Sequence, residues 1–241
     1  SRVSARDGAL YSVYRTATRL LTPAAPLLLN YRRSRGKEEQ ARMDERLGLP
    51  GLLRPQGALV WLHGASVGES LSLLPLVEKL VARDARVLMT TGTTSSADIL
   101  KARLPSGAAH QYVPLDAPRF LRRFLDHWRP DLVLVAESEL WPNFLHETHA
   151  RGAPVALVNA RLSQRSFERW LRAQGLIGAM LSRVDLCLAQ THDDAARFAR
   201  LGARNVRVAG NLKYDAPPPP ADPAEVARLR ALIGEIGRAH V

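Results

Sequence analysis

The sequence predicts an α/β fold, a Rossmann-like parallel sheet sandwiched by helices. From residue 57 onward, short apolar runs alternate with stretches of ten or more residues that have helical spacing, a pattern typical of βαβ units. The chain has 241 residues, of which 46% are hydrophobic, and this is enough to bury one large core. The predicted strands cover residues 58–63, 86–91, 110–114, 131–137, 154–160, 184–190 and 206–210.

The first 50 residues combine positive charge with a short apolar run. The net charge of the whole chain is +11, which indicates an anionic partner. The run LLTPAAPLLLN is interrupted by Pro23 and Pro26 and is shorter than the about 20 apolar residues that a bilayer span needs. We therefore predict that residues 1–50 form a basic, membrane-proximal helical segment at the surface of an anionic membrane, with a soluble packing helix as the alternative. Its basic residues are Arg2, Arg6, Arg15, Arg19, Arg32, Arg33, Arg35, Lys37, Arg42 and Arg46.

The most informative stretch is ALVWLHGASVGES at residues 58–70, where a predicted strand runs into a helix. Gly64 and Gly68 allow the backbone to turn tightly and to approach a ligand. Glu69 falls in the first turn of the helix that continues as LSLLPLVEKLVAR. The partial positive charge and the free N–H groups of a helix N-terminus favour a carboxylate anion. Glu69 is therefore a candidate for accepting a proton.

The same residues also fit G-x-S-x-G, the nucleophile motif of α/β-hydrolases, with Ser66 as the nucleophile. The expected order of serine, acid and histidine can be met only by weak candidates such as Asp185 and His192. A hydrolase normally has several strands before this motif, whereas here a basic, proline-interrupted segment precedes it. An esterase stays open as an alternative, and so does a tight turn without chemistry.

Polar residues collect at the ends of the predicted strands. In open parallel sheets, ligands bind beyond the carboxyl ends of the strands. No G-x-G-x-x-G follows the first strand and no GK[ST] occurs, so no dinucleotide or P-loop nucleotide is expected as a cofactor. No CxxC or HExxH motif occurs either, and we predict no metal site. The residues expected at this edge are Glu69, Thr91 to Ser96, Glu137, Glu139, Asn159, Arg161 and Asn211 to Lys213.

Two further features of the composition limit the function. Aromatic residues make up only 6% of the chain and are not interleaved with the basic residues, so nucleic-acid binding is not expected. The one cysteine, Cys187, lies in the apolar run VDLCLAQ. It excludes an internal disulfide and suits a reducing cytoplasm.

Six blocks carry a resemblance to a known family: WLHGASVGES, TTGTTSS, VAESELWPNF, VNARLSQRS, LAQTHDDAARFARLGA and VAGNLKYD. In this order and spacing they resemble the N-terminal, acceptor-side half of the 3-deoxy-D-manno-octulosonic acid (Kdo) transferases. The resemblance implies a two-domain GT-B glycosyltransferase that moves Kdo from CMP-Kdo to the lipid A precursor with inversion. It also implies a location at the cytoplasmic face of the bacterial inner membrane.

The resemblance also implies roles for individual residues. Inverting transfer needs a base for the acceptor hydroxyl and a cation for the departing phosphate. By resemblance Glu69 is the proton acceptor, while Glu137 and Lys213 stabilise the transition state. An ordinary helix-start charge, a loop carboxylate and a solvated lysine are the alternatives for these three. Because CMP leaves with a single phosphate, we predict transfer without a metal. The predicted substrate-binding residues are Ser66, Gly68, Thr93, Thr94, Asn159, Arg161 and Asn211.

The predicted organisation divides the chain after the basic segment. Residues 55–215 form the acceptor-binding domain, and APPPPADP at 216–223 is a stiff linker. Residues 224–241 begin a second domain, although EIGRAHV at 235–241 resembles translated sequencing-adapter read-through. We expect these 241 residues to fold but not to transfer sugar alone. A non-catalytic module that binds anionic lipid is a third class of function.

Overall fold

Seven parallel strands form the sheet at the centre of the fold. The computed structural model describes residues 3–215 of the chain. The order of the strands across the sheet is β3-β2-β1-β4-β5-β6-β7, and every neighbouring pair is parallel. The strands are β1 Leu59–His63, β2 Arg86–Thr91, β3 Ala108–Tyr112, β4 Leu132–Ala136, β5 Val155–Ala160, β6 Leu186–Ala189 and β7 Val206–Val208.

An apolar core covers each face of the sheet. Successive side chains of a strand point to opposite faces, so one strand contributes to both cores. In β1, Leu59 and Trp61 enter one core cluster while Val60 and Leu62 enter another. The first core is rich in aromatic residues, and the Trp61 ring lies 4.3 Å from that of Phe144 between centroids. The helices are α1 Val3–Leu20, α2 Ala25–Ser34, α3 Met43–Arg46, α4 Val67–Val81, α5 Thr94–Arg103, α6 Pro118–Trp128, α7 Pro142–His149, α8 Gln164–Arg172, α9 Gln174–Leu181 and α10 His192–Leu201.

The strand order reverses at β1, and this reversal positions the candidate site. The chain moves outward from β1 to β2 and β3 and then returns to place β4 on the other side of β1. Helices α4 and α5 cover one face of the sheet, whereas α6 to α10 contribute to the core of the other face. The loops that follow β1 and β4 therefore diverge, and they leave a crevice at the carboxyl ends of these two strands.

The N-terminal segment packs directly on the sheet domain. Helix α1 lies against α6, α7 and α9. The Tyr11 hydroxyl donates a hydrogen bond of 3.0 Å to the carbonyl of Pro142, and Arg15 forms an ion pair of 2.9 Å with the buried Glu147. The predicted division between residues 1–50 and residues 55–215 therefore does not separate two independently packed units, because α1 contacts helices of the sheet domain. The location of this segment at a membrane stays a prediction.

A buried ion-pair network ties residues 32–46 to the loops after β2 and β3. Glu38 accepts from Arg32 at 2.6 Å and from Arg46 at 2.8 Å. Arg46 also donates to the carbonyls of Gly92 at 2.6 Å and Val113 at 3.2 Å. Burial lowers the pKa of the Arg46 guanidinium, and the Glu38 carboxylate opposes that effect. This network holds the segment over the same edge of the sheet as the crevice.

The predicted fold class is confirmed, since all seven predicted strands occur in one parallel sheet between helices. Their ends shift by a few residues: β3 begins at Ala108 and ends at Tyr112, earlier than the predicted 110–114. Within residues 3–215, no helix combines the length and the apolar character needed to span a membrane. The linker predicted at 216–223 and the second domain predicted at 224–241 lie outside the described residues.

Candidate active site at the carboxyl ends of β1 and β4

Glu69 is held at the N-terminus of α4 by a capping box. Its Oε2 accepts hydrogen bonds from the backbone N–H of Ala65 at 2.7 Å and of Ser66 at 3.4 Å. The Ser66 hydroxyl in turn accepts from the backbone N–H of Glu69 at 3.3 Å. These reciprocal bonds satisfy N–H groups that a helix start would otherwise leave free. They fix the carboxylate beside the carboxyl end of β1.

Glu137 follows β4 directly and has an unusual backbone conformation. Its φ is +51°, a left-handed region that few residues other than glycine adopt. The turn directs the carboxylate toward Lys213, whose Nζ lies 3.5 Å from the Glu137 Oε1. Strained conformations of this kind collect at binding and catalytic sites, where the surrounding structure enforces them. Glu137 and Lys213 therefore lie side by side in the crevice, and their role in stabilising the transition state stays a prediction.

Glu139 is a third carboxylate in the same place. Burial raises the pKa of its carboxyl group, and the negative charges of Glu69 and then Glu137 raise it further. The indole N–H of Trp141 donates to the Glu139 Oε2 at 3.0 Å and opposes this rise. Because β1 and β4 are parallel neighbours, the loops that follow them carry Glu69, Glu137 and Glu139 at the same edge of the sheet. We call these three residues and Lys213 the carboxylate cluster.

Two predicted asparagines shape the turn that carries Lys213. Asn159, at the end of β5, also has a positive φ of +53° and is buried. Its Oδ1 accepts from the backbone N–H of Leu212 at 3.0 Å, and the Asn211 Oδ1 accepts from the N–H of Lys213 at 3.0 Å. The short 3-10 turn Leu212–Asp215 is thereby fixed beside α4. These bonds are structural, and substrate contacts by Asn159 and Asn211 stay predictions.

The other predicted substrate-binding residues lie at the same edge with different local roles. The Thr93 hydroxyl caps α5 by accepting from the N–H of Ser96 at 3.2 Å, and Thr94 opens that helix. Arg161 is exposed after β5 and has no ion pair within the described part of the chain. Gly68 is exposed, and an added Cβ would meet no atom within 4 Å. The backbone at 68 therefore does not itself require a glycine, and the close approach of Gly68 to a ligand stays a prediction.

A cavity of about 200 Å³ adjoins the carboxylate cluster. His63, Ala65, Arg46 and Trp141 are among the residues that line it. Burial lowers the pKa of the His63 imidazole to about 4, so the ring is neutral. Its Nδ1 contacts the Thr90 carbonyl at 3.2 Å, and its buried Nε2 has no partner within the described residues. A neutral imidazole that donates through Nδ1 presents Nε2 as a hydrogen-bond acceptor.

The esterase alternative fails on geometry. Asp185 precedes β6 and accepts from the backbone N–H of Val155 at 2.8 Å, which places it at the amino end of the strands. His192 begins α10 beyond the carboxyl end of β6. Neighbouring strands lie about 4.8 Å apart, so β6 is roughly 14 Å from β1 and its Ser66 loop. Ser66, Asp185 and His192 therefore do not form a triad.

The sequence alone does not identify every residue of the site. The sequence predicts Glu139 at this edge of the sheet but not as a catalytic residue. It does not predict Trp141 or His63 as residues of the site. The run ESELW does contain a signal, because it sets two carboxylates and an indole donor directly after a buried strand. No periodic pattern indicates that the histidine ending β1 would keep an unpaired nitrogen.

The capping role of Ser66 leads to a stability prediction. Ser66→Ala should lower the free energy of unfolding by about 1 kcal/mol, because the N–H of Glu69 loses its acceptor. Ser66→Thr, which keeps a capping hydroxyl, should recover most of this loss. Urea unfolding followed by circular dichroism measures both variants. Equal stability of Ser66→Ala and the natural protein would contradict the capping role.

The fold and the site define the class of protein as a doubly wound α/β domain with carboxylates and a lysine at its switch point. Solved structures share this fold. A UDP-N-acetylglucosamine 2-epimerase matches with a TM-score of 0.51 at 16% identity, covering 72% of this chain and 52% of that one. S. aureus MnaA, solved with UDP, matches with a TM-score of 0.50 at 16% identity over 70% and 50% of the two chains. Likeness at these identities shows the fold alone.

Sequence comparisons identify the family. Residues 41–216 match the family model for 3-deoxy-D-manno-octulosonic-acid transferase (kdotransferase), and the chain belongs to this family. A probable mitochondrial transferase of this name from Arabidopsis thaliana is 37% identical over 85% of this chain and 47% of its own length. The transferase of Rickettsia bellii is 36% identical over 87% and 50%, and that of Haemophilus influenzae 36% over 72% and 42%. The chain thus spans about half the length of these curated relatives.

Proposed function

We propose that this chain provides the acceptor side of an inverting transfer of Kdo from CMP-Kdo to the lipid A precursor. The observation that carries the proposal is the carboxylate cluster, in which a fixed carboxylate, two further carboxylates and a lysine meet at the switch point. Membership of the Kdo transferase family supports Kdo as the transferred sugar. The crevice supplies one group suited to proton removal and one suited to an anionic leaving group.

Glu69 acts as the general base in this proposal. As the acceptor hydroxyl oxygen bonds to the anomeric carbon of Kdo, its proton passes to the Glu69 carboxylate. The bond from that carbon to the phosphate oxygen breaks, and its electron pair leaves with CMP. Oε2 is occupied by the N–H groups of Ala65 and Ser66, while Oε1 accepts no hydrogen bond from the described residues. Oε1 is therefore the atom that takes the proton.

In this proposal, Lys213 and Glu137 stabilise the charges that develop in the transition state. The ammonium group of Lys213 offsets negative charge that develops on the departing phosphate, and such stabilisation is often a large part of catalysis. The Glu137 carboxylate lies 3.5 Å from Lys213, so it holds the ammonium in the crevice. It also favours positive charge at the anomeric carbon, as carboxylates do beside oxocarbenium-like transition states.

We further propose that contacts to CMP-Kdo come mainly from sequence outside these 241 residues. The relatives are about twice as long as the matched part of each of them. The crevice holds one lysine and three carboxylates, a poor surface for a negatively charged nucleotide. Sugar transfer by the 241 residues alone would contradict this division of roles.

We propose that the protein works at the cytoplasmic face of the bacterial inner membrane. The support comes from the surface of α1 and α2 and the turn between them, where apolar side chains stand exposed near arginines. Amphipathic surfaces of this composition bind at the interface of anionic membranes. The exposed apolar residues are Leu10, Val13, Leu20, Leu21, Leu27, Leu28 and Tyr31. A module that binds anionic lipid without catalysis is the second candidate function, and the same surface favours it.

The intact protein should convert CMP-Kdo and lipid A precursor to a product heavier by a whole number of Kdo units, detected by mass spectrometry. Because CMP leaves with one phosphate, the rate should be unchanged in EDTA. Activity lost in EDTA and restored by a divalent cation would contradict metal-independent transfer. Binding of the lipid acceptor without binding or conversion of CMP-Kdo would favour the lipid-binding module.

A further inference from the structure

An apolar groove of about 350 Å³ lies between the N-terminal helices and the sheet domain. One wall comes from α1, α2 and the turn between them, and it includes Leu21 and Leu28. The other wall comes from the β3–α6 connection and α6, and it includes Leu115 and Phe120. Most of the exposed lining is apolar. Such a surface favours hydrocarbon over water.

The groove begins at the candidate active site. Trp141 lines the groove, and its indole N–H donates to Glu139 of the carboxylate cluster at 3.0 Å. Trp141 also lines the cavity beside Ala65, whose N–H holds the Glu69 carboxylate. A molecule with its hydroxyl at Glu69 would therefore have the apolar groove directly beside it.

The far end of the groove opens on the surface proposed to face the membrane. Leu21 is 65% exposed and Leu28 is 48% exposed. On the other side of the turn Thr22–Ala24, a second groove of about 560 Å³ is lined by five arginines: Arg15, Arg19, Arg119, Arg122 and Arg123. Thr22 lines both grooves. Apolar and cationic surfaces meet at one turn, which matches the chemistry of a lipid with acyl chains and anionic groups.

We propose that this apolar groove holds an acyl chain of the acceptor lipid during transfer. The proposal rests on the proposed function and adds a specificity site to it. The groove lets the sugar part of the lipid reach Glu69 while its chain stays covered by Leu21, Leu28 and Phe120. The acyl chain would then be recognised by the protein itself, and not only dissolved in the membrane beside it.

General docking on a bilayer predicts a different pattern of sensitive residues. Leu20 and Leu27 are each 74% exposed, more than Leu21 and Leu28. Neither Leu20 nor Leu27 lines the groove. A membrane-inserting surface would depend on these more exposed leucines, whereas a chain-binding groove depends on the residues that line it.

The test compares Ala24→Trp with Asn30→Trp in the full-length protein. Ala24 is exposed and lines the groove, so an indole there blocks it without disturbing the core. Asn30 is exposed in α2 and does not line the groove, so Asn30→Trp adds the same side chain outside the groove and serves as the matched control. Both variants should keep the melting temperature of the natural protein. Each is assayed with the lipid A precursor in detergent and with its fully deacylated, water-soluble form.

Ala24→Trp should raise KM for the acylated acceptor by about tenfold, the affinity that roughly two buried methylene groups contribute. Its kinetics with the deacylated acceptor should change by less than about twofold, and so should the kinetics of Asn30→Trp with both acceptors. Equal effects of Ala24→Trp on both acceptors, or none on either, would overturn the proposal.

A second readout separates this proposal from the proposed function. Dansylaminoundecanoic acid fluoresces more strongly in an apolar site, and its binding needs no sugar donor. The natural protein and Asn30→Trp should bind it with similar affinity, and Ala24→Trp should bind it about tenfold more weakly. If none of the three proteins transfers sugar but the probe affinities follow this order, the proposed function is wrong and the groove still binds an acyl chain. Equal binding by all three proteins overturns the groove.

Discussion

Glu69→Gln in the intact protein should lower kcat for sugar transfer by about 100-fold or more, the usual contribution of a positioned general base. The substitution isolates the chemistry, because glutamine has nearly the shape of glutamate and can complete the same capping box. The N–H groups of Ala65 and Ser66 would keep an oxygen acceptor. Binding of the acceptor should therefore change little, and the loss should fall on kcat.

The matched control is Glu78→Gln, which removes a carboxylate from the exposed side of the same helix. It should leave kcat and KM unchanged within about twofold, since surface substitutions away from a site are usually near neutral. Steady-state kinetics with acceptor titration, together with the melting temperatures, measure both variants. A Glu69→Gln protein that keeps more than about a tenth of the natural kcat would remove Glu69 from the role of base.

Much of the fold follows from local patterns in the sequence. Strands such as Val155–Ala160 are short apolar runs between helical stretches, and their burial on both faces of a parallel sheet explains why they contain almost no charge. The packing of the N-terminal segment could not be predicted in this way. It depends on contacts across long sequence separations, such as Arg46 with the carbonyls of Gly92 and Val113, which leave no periodic signal.

The same distinction applies to the candidate site, where positions along the chain can be predicted from the sequence but side-chain orientations cannot. The position of Glu69 after β1 and of Glu137 after β4 follows from the rule that carboxyl ends of parallel strands share an edge. The orientation of the side chains does not follow from it. The left-handed backbone of Glu137 and Asn159 and the burial that raises the pKa of Glu139 arise from tertiary packing. Neither residue type nor spacing in the sequence indicates them.

Glu38→Gln should lower the free energy of unfolding by about 3 kcal/mol, the lower part of the range for removing one partner of a buried ion pair. The side chains of Glu38 and Arg46 are 1% and 4% exposed. Without the carboxylate, the Arg46 guanidinium stays buried with no opposing charge beside it. For a chain of this size the melting temperature should fall by roughly 6–12 °C. Thermal unfolding by circular dichroism measures the change.

An exposed ion pair provides the control for this prediction. Asp126 pairs with Arg151 at 2.6 Å, but its side chain is 67% exposed. Asp126→Asn should therefore cost less than about 1 kcal/mol, because water screens the pair and solvates the remaining charge. If Asp126→Asn and Glu38→Gln had equal effects, burial would not be the reason for the importance of Glu38.

The double variant Glu38→Gln with Arg46→Met identifies the source of the cost. Arg46 also donates to the carbonyls of Gly92 and Val113, so its removal takes away two hydrogen bonds as well as the charge. If the uncompensated charge dominates, the double variant should be no less stable than Glu38→Gln alone, since an apolar side chain needs no counter-ion. A further loss of about 2 kcal/mol, near what two such hydrogen bonds contribute, would instead show that Arg46 holds the segment through these carbonyls.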